Sequence, residues 1–210
     1  MIRYSLLLSL CVCTLSIKAQ DMKTLFTQTP DSYLPQLETA WRKDLIDLYL
    51  TGKEAHLQNT MGGYSKLLKL TDDYLQLQVT ERSLVEMKKF PLINNTHILC
   101  MVTTIEGPVA DSRVRFYTTE WQPLESTNLF TPVTVDWFIS ENVDKDSDAY
   151  KDAVIRLDID LIKYLLNSEN QTLTAVYTTP LYLSEQDRNK TLLILKDYPK
   201  VYVWDKSTFH

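Results

Sequence analysis

The hydrophobic period of this chain changes once, near Ser65, and that change limits the class of fold open to it. Upstream, in PDSYLPQLETAWRKDLIDLYLTG, Leu34, Leu37, Trp41, Leu45 and Leu48 recur at spacings of three and four, the stripe of an amphipathic helix. Downstream the apolar residues alternate with polar ones, the two-residue period of half-buried strands. The spacing predicts one long helix over about 31–51, capped by Asp31 or Ser32, with Pro35 in its first turn and Gly52 just past its end. Lys53 to Met61 adds a helical turn or two before Gly62-Gly63 breaks it. KLLKLTDDYLQLQVT, SLVEMKKFPL, HILCMVTTI and SRVRFYTTEW then read as an antiparallel meander turning at Asp72-Asp73, Asn94-Asn95 and Gly107-Pro108. After a proline-containing junction, VDWFI, AVIRLDID, TLTAVYTTPLYL, KTLLILKDY and KVYVW read as a second meander, with a short helix over Asp160 to Leu166. The expected class is α+β, an N-terminal helix packed on antiparallel β-meanders.

The first 19 residues are set apart from this pattern. MIRYSLLLSLCVCTLSIKA carries Arg3, an apolar run from about Leu6 to Leu15, and a small residue, Ala19, before Gln20, which is the layout of a secretory signal peptide. The run is about half the ~20 residues that span a bilayer, and no later stretch approaches that length. Leu10 and Val12 precede Cys11 and Cys13, so the small residue that a lipid-modified cysteine needs before it is missing. Cleavage after Ala19 removes those two cysteines and strands Cys100 without an intramolecular partner. It also removes Arg3 and Lys18, taking the formal net charge from −5 to −7. Such a surface repels polyphosphates, so nucleic acid is a poor partner. The domain reading is a leader at 1–19, a helix plus first β-lobe at 20–128 and a second β-lobe at 129–210, the two lobes forming one compact unit.

The halves share vocabulary. HILCMVTTI and TLTAVYTTP both carry a Thr-Thr pair, at 103-104 and 178-179, while RFYTTEWQP and LLILKDYPK both end on an aromatic residue shortly before proline. Duplication into two similar β-lobes and ordinary strand composition both account for this. PDSYLPQLETAWRKDLIDLYL, LTDDYLQL and above all GPVADSRVRFYTTEWQPL resemble a domain-of-unknown-function family of exported proteins of Bacteroidales, over nearly the whole chain after the leader. The resemblance implies a cell-envelope or extracellular location and an α+β fold. It brings no established activity and no catalytic residues.

Complete catalytic patterns are scarce. His97 and Cys100 are the one close His/Cys pair, and residues three apart on a strand point to opposite faces, so they cannot converge on a metal. Ser112 beside Asp111, with His97 as base, is the best serine arrangement, yet no GxSxG elbow supports it. Asp144, Asp146 and Asp148 open a calcium-loop pattern, but Ala149 stands where its glycine belongs and Ile155 where its bidentate acid belongs. Asn94, Asn170 and Asn189 begin N-x-Ser/Thr sequons that read as polar turns between strands. With 4 Gly in the chain, phosphate-binding loops have almost no material. No cofactor is implied.

One face remains to be explained. In SRVRFYTTEW, Val114, Phe116 and Thr118 supply an apolar side, while Arg113, Arg115, Tyr117 and Trp121 alternate onto the other. Guanidinium and aromatic groups together could hold an anionic glycan, a peptide or an envelope protein; equally, the two rings could pack beneath the N-terminal helix. The functional expectation is an exported, periplasmic or extracellular, non-enzymatic binding or scaffolding protein with Arg113, Arg115, Tyr117 and Trp121 as its binding residues. A secreted hydrolase whose residues meet only in three dimensions is the alternative.

Overall fold

The computed structural model describes residues 20–210, so the leader expected at 1–19 lies outside the described residues. Seven strands, β1 (His56–Gln58), β2 (Tyr64–Leu70), β3 (Tyr74–Thr80), β4 (Ser83–Pro91), β5 (His97–Glu106), β6 (Ala110–Thr118) and β7 (Pro123–Leu124), form an antiparallel sheet in simple chain order. Helices α1 (Met22–Thr27) and α2 (Thr39–Leu50) cover one face. A three-stranded antiparallel sheet of β8 (Ile162–Leu166), β9 (Thr172–Tyr177) and β10 (Lys200–Val203) covers the other, with short helices α3 (Val135–Phe138), α4 (Asp148–Val154) and α5 (Glu185–Leu192) in its connections. The class is α+β, as the switch in period predicts. No helix among the described residues is long and apolar enough to cross a membrane.

Strand alternation sorts the large sheet's side chains into two cores. Leu75, Leu77, Val85, Met87, Leu99, Met101 and Tyr117 face the helices and meet Met22, Leu25, Phe26, Leu37 and Leu45. Tyr74, Phe90, Ile98, Cys100, Val102 and Phe116 face the small sheet and meet Phe130, Tyr164, Tyr202, Trp204 and Phe209. Phe209 lies 5.0 Å edge-on to Phe90, and Trp204 Nε1 donates to the Pro91 carbonyl at 2.7 Å, so the chain's end is fastened to the centre of the large sheet. Cys100 is fully buried, and burial pushes its thiol pKa up.

The N-terminal helix is shorter than its leucine spacing predicts. Residue 31–38 form turns, and α2 begins at Thr39 with Glu38 rather than Asp31 or Ser32 in the cap position. Pro35 disfavours the helical conformation at Leu34 before it. Leu34 and Leu37 still reach the core, because the buried Arg42 side chain holds the turns: Nη1 donates to the Leu37 carbonyl at 2.8 Å, and Nη2 to Thr39 Oγ1 at 2.8 Å and Asp31 Oδ1 at 3.0 Å. Upstream, α1 is capped by Asp21, which accepts from the Thr24 N–H at 2.9 Å. The segment 53–61, expected as further helix, instead supplies strand β1.

In the second half several expected elements are exchanged. VDWFI, AVIRLDID and KTLLILKDY contain or adjoin α3, α4 and α5 rather than strands, while the helix expected at 160–166 is β8. Caps decide this locally: Ser147 accepts from the Tyr150 N–H, and Ser184 from the Asp187 N–H. In β8, Ile162, Tyr164 and Leu166 are buried in strict alternation. The halves are therefore different structures. Thr103-Thr104 lie within β5, whereas Thr178-Thr179 follow the end of β9. Asn94 and Asn170 do occupy turns, where their side chains accept from Thr96 and Thr172, but Asn189 lies within α5.

Candidate functional site

Strand β6 is covered unevenly. On its outer side β7 pairs with Phe116 and Tyr117 and then stops, after two residues. Thr118 donates its N–H to Gln122 on that side, so by the two-residue period the backbone groups of Ser112 and Val114 point to the same edge. The Ala110 carbonyl farther along is taken by Thr178 Oγ1 at 2.7 Å. Between these two points, no described residue bonds to the N–H or C=O of Ser112 or Val114. A cavity of about 540 Å³ runs along this gap. Phe130, Pro132 and Tyr164 line it on the small-sheet side, and Tyr33, Arg113 and Arg115 on the helix side.

Arg113 and Arg115 are exposed, and neither has a carboxylate within 4.0 Å among the described residues. Arg115 lies beside Tyr117, where its charge opposes the upward shift that burial imposes on the phenol. The other two residues of the expected binding face are placed differently. Tyr117 and Trp121 are 2% and 5% exposed. Tyr117 packs 4.9 Å from Tyr33 and 5.3 Å from Trp121, whose Nε1 donates to the Leu25 carbonyl of α1 at 3.1 Å. Both rings belong to the core under α1 and the 31–38 turns, so this face presents Arg113 and Arg115 to solvent, with exposed Ile105 and Asp111, whose Oδ1 accepts the Ile162 N–H, farther along it at the cleft's end. Tyr33, Tyr164 and the open backbone edge carry no motif in the sequence; the signal for Tyr164 was its place in an alternating run.

Beside the cleft, the facing edge of the small sheet is closed. Asp111 Oδ1 accepts the N–H of Ile162 at 3.2 Å and Ser112 Oγ that of Tyr164 at 3.0 Å, two successive outward groups of β8. The next, Leu166, faces Glu86. Glu86 is 2% exposed and accepts from the Tyr74 hydroxyl at 2.7 Å. Burial pushes its pKa up, against the opposing pull of Tyr74, the Leu166 backbone and Lys163. Tyr164's own hydroxyl is buried at the cleft wall with no partner among the described residues, and burial raises its pKa.

The remaining catalytic candidates do not converge. Ser112 stands opposite Thr104 and shares a hydrogen bond with its hydroxyl at 2.8 Å. His97 is seven residues farther along β5, about 23 Å away at ~3.3 Å per residue, beside a separate cavity of about 520 Å³. Asp144 Oδ1 accepts from the Asp146 N–H, and Asp148 sits in the first turn of α4, so the acidic run forms a turn and a helix start. Among the described residues, no group of three or more His, Cys, Asp or Glu is placed to hold a metal ion.

A family model described as a protein of unknown function, DUF3256, matches residues 14–209. Among solved structures, a domain of an uncharacterized protein from Porphyromonas gingivalis W83 is similar to this chain at 28% identity and a TM-score of 0.82, covering 92% of this chain and 99% of that one. No curated protein matches the sequence.

Proposed function

Because the chain belongs to the DUF3256 family of unknown function, which brings no activity with it, we propose from the chain's own geometry that it is an exported, non-enzymatic binding protein of the cell envelope or exterior, holding an anionic partner at the β6 cleft. The observation that carries this reading is the pair Arg113 and Arg115. In a chain of formal net charge −5, two neighbouring guanidinium groups stand on the rim of a 540 Å³ cleft without an acidic partner among the described residues. Guanidinium forks bind carboxylates and other oxyanions in paired hydrogen bonds, and adjacent forks add to one another's field. An envelope protein and an acidic glycan both carry such groups.

The test is titration of the folded protein with an acidic peptide and, separately, with oligogalacturonate. Binding of either, weakened at least tenfold in Arg113→Ala/Arg115→Ala with the melting temperature unchanged, supports the reading. Equal binding by the variant, or binding of neither probe, overturns it. Export rests on the leader pattern. N-terminal sequencing of the exported protein should begin at Gln20; a product that keeps Cys11, or carries diacylglycerol on Cys13, refutes it.

A further inference from the structure

We infer that the β6 cleft takes an extended acidic peptide segment of a partner protein, added as a short strand beside Ser112 and Val114; this deepens the anion-binding reading and rests on it. Unpaired strand edges are closed in most folded proteins, because free N–H and C=O groups in a row recruit another chain. This molecule closes the outward side of β8 with Asp111 and Ser112, and β6 itself with β7 and Thr178, yet leaves the stretch between. Two outward residues offer two donors and two acceptors, enough to register a segment of three to four residues.

The side chains around that edge define the occupant. In an antiparallel addition, the peptide residue opposite Val114 points toward Phe130 and Tyr164, and its two neighbours point to the helix side, opposite Arg113 and Arg115. The segment that fits is therefore acid, apolar, acid in extended form. The cleft volume of 540 Å³ lies in the range that holds a short peptide. Recognition of this kind draws affinity from main-chain hydrogen bonds and selectivity from alternate side chains. A glycan would use the guanidinium groups but leave the row of backbone donors and acceptors unmatched. A second copy of this chain would have to bring its own excess of negative charge to the edge in the right alternation.

The probe is acetyl-Thr-Glu-Val-Glu-Thr-amide, titrated into the isotopically labelled chain 20–210 and followed by amide resonances and hydrogen exchange. The expected result is a shift and slowed exchange of the Ser112 and Val114 amides. Methylating the backbone nitrogen of the central valine, which removes its donor and leaves the charges, should weaken binding at least tenfold, as should Arg113→Ala/Arg115→Ala. Replacing both glutamates by glutamine should do the same. If the N-methylated peptide binds as well as its parent, strand addition is wrong while the anion site stands. If oligogalacturonate binds and the peptide does not, the partner class is wrong. A concentration-dependent dimer in sedimentation that protects the same two amides shows instead that a second copy covers the edge. Should neither anionic probe bind, the functional reading falls together with this one.

Discussion

Replacing Trp121 separates a core reading of the β6 face from a binding-surface one. The ring is 5% exposed, packs against Tyr33 and Tyr117, and bonds to the Leu25 carbonyl. Truncation to alanine removes a buried aromatic side chain, about 3–5 kcal/mol, and one buried hydrogen bond, about 1 kcal/mol. The expected loss for Trp121→Ala is therefore about 4–6 kcal/mol, a fall of roughly 8–24 °C in melting temperature for a chain of this size. Trp121→Phe keeps most of the ring and should lose about 1–2 kcal/mol. The backbone adds a second, independent signature. Trp121 has φ of 63°, in the left-handed region that costs a residue with a Cβ about 1–2 kcal/mol. Glycine escapes that cost, so Trp121→Gly should be about 1 kcal/mol more stable than Trp121→Ala, the reverse of the usual order. Urea unfolding followed by circular dichroism measures all three variants, and peptide titration below their melting points measures binding. A small stability change with binding abolished would refute the core assignment. A glycine variant less stable than the alanine one would refute the strain assignment.

Three further outcomes follow from groups buried elsewhere. Glu86 holds its proton more tightly folded than unfolded, so its contribution to stability is present below the ordinary carboxylate range and lost as pH rises through its raised folded pKa; Glu86→Gln should raise the melting temperature by a few degrees at pH 7.5 and hardly at pH 4, and an equal gain at both would contradict the burial reading. Arg42→Ala and Arg42→Lys should each cost about 2–4 kcal/mol, because lysine cannot reproduce the three-acceptor fork, whereas Asp31→Ala, whose carboxylate is exposed, should cost less than about 1 kcal/mol by thermal melts. Ser184→Ala should cost about 1 kcal/mol, seen as reduced protection of the α5 amides in hydrogen exchange; unchanged protection would show that tertiary contacts alone hold α5.

The first half of the fold was legible because its strands obey one rule. From β2 to β6 each strand has a helix-facing and a sheet-facing side, and turns at Asp72-Asp73, at Asn95 with φ of 62° and after Glu106 fall between long alternating runs. In the second half apolar residues are short and clustered, so a run such as AVIRL satisfies either period, and the decision passes to caps. Ser184, whose Oγ accepts the Asp187 N–H, was such a signal: it starts α5, and the apolar run LLIL that suggested a strand falls at the helix's last residue, the turn after it and a single bridge from Leu195 to Ile139. At the N-terminus the reverse error arises. Leu34 and Leu37 keep helical spacing with their neighbours, but the buried Arg42 guanidinium, not helix geometry, holds them inward.

The candidate site shows the same division at finer scale. Alternation correctly put Arg113, Arg115 and Tyr117 on one side of β6, opposite Val114 and Phe116. What alternation does not encode is what lies over each stretch of that side. Tyr33 and α1 cover the end that carries Tyr117 and Trp121, while the end with Arg113 and Arg115 extends beyond them. Coverage depends on where the 31–38 turns deliver Tyr33, a tertiary outcome of Pro35 and Arg42 some seventy residues or more upstream. The open backbone edge likewise depends on how soon β7 ends. The residue that would stand opposite Val114 is Ser126, and there the chain turns into a short 3-10 helix, Ser126–Asn128, instead of continuing the ladder. The cleft is thus where two coverings stop short of the same strand, and the residues at its rim acquire their role from that shared boundary.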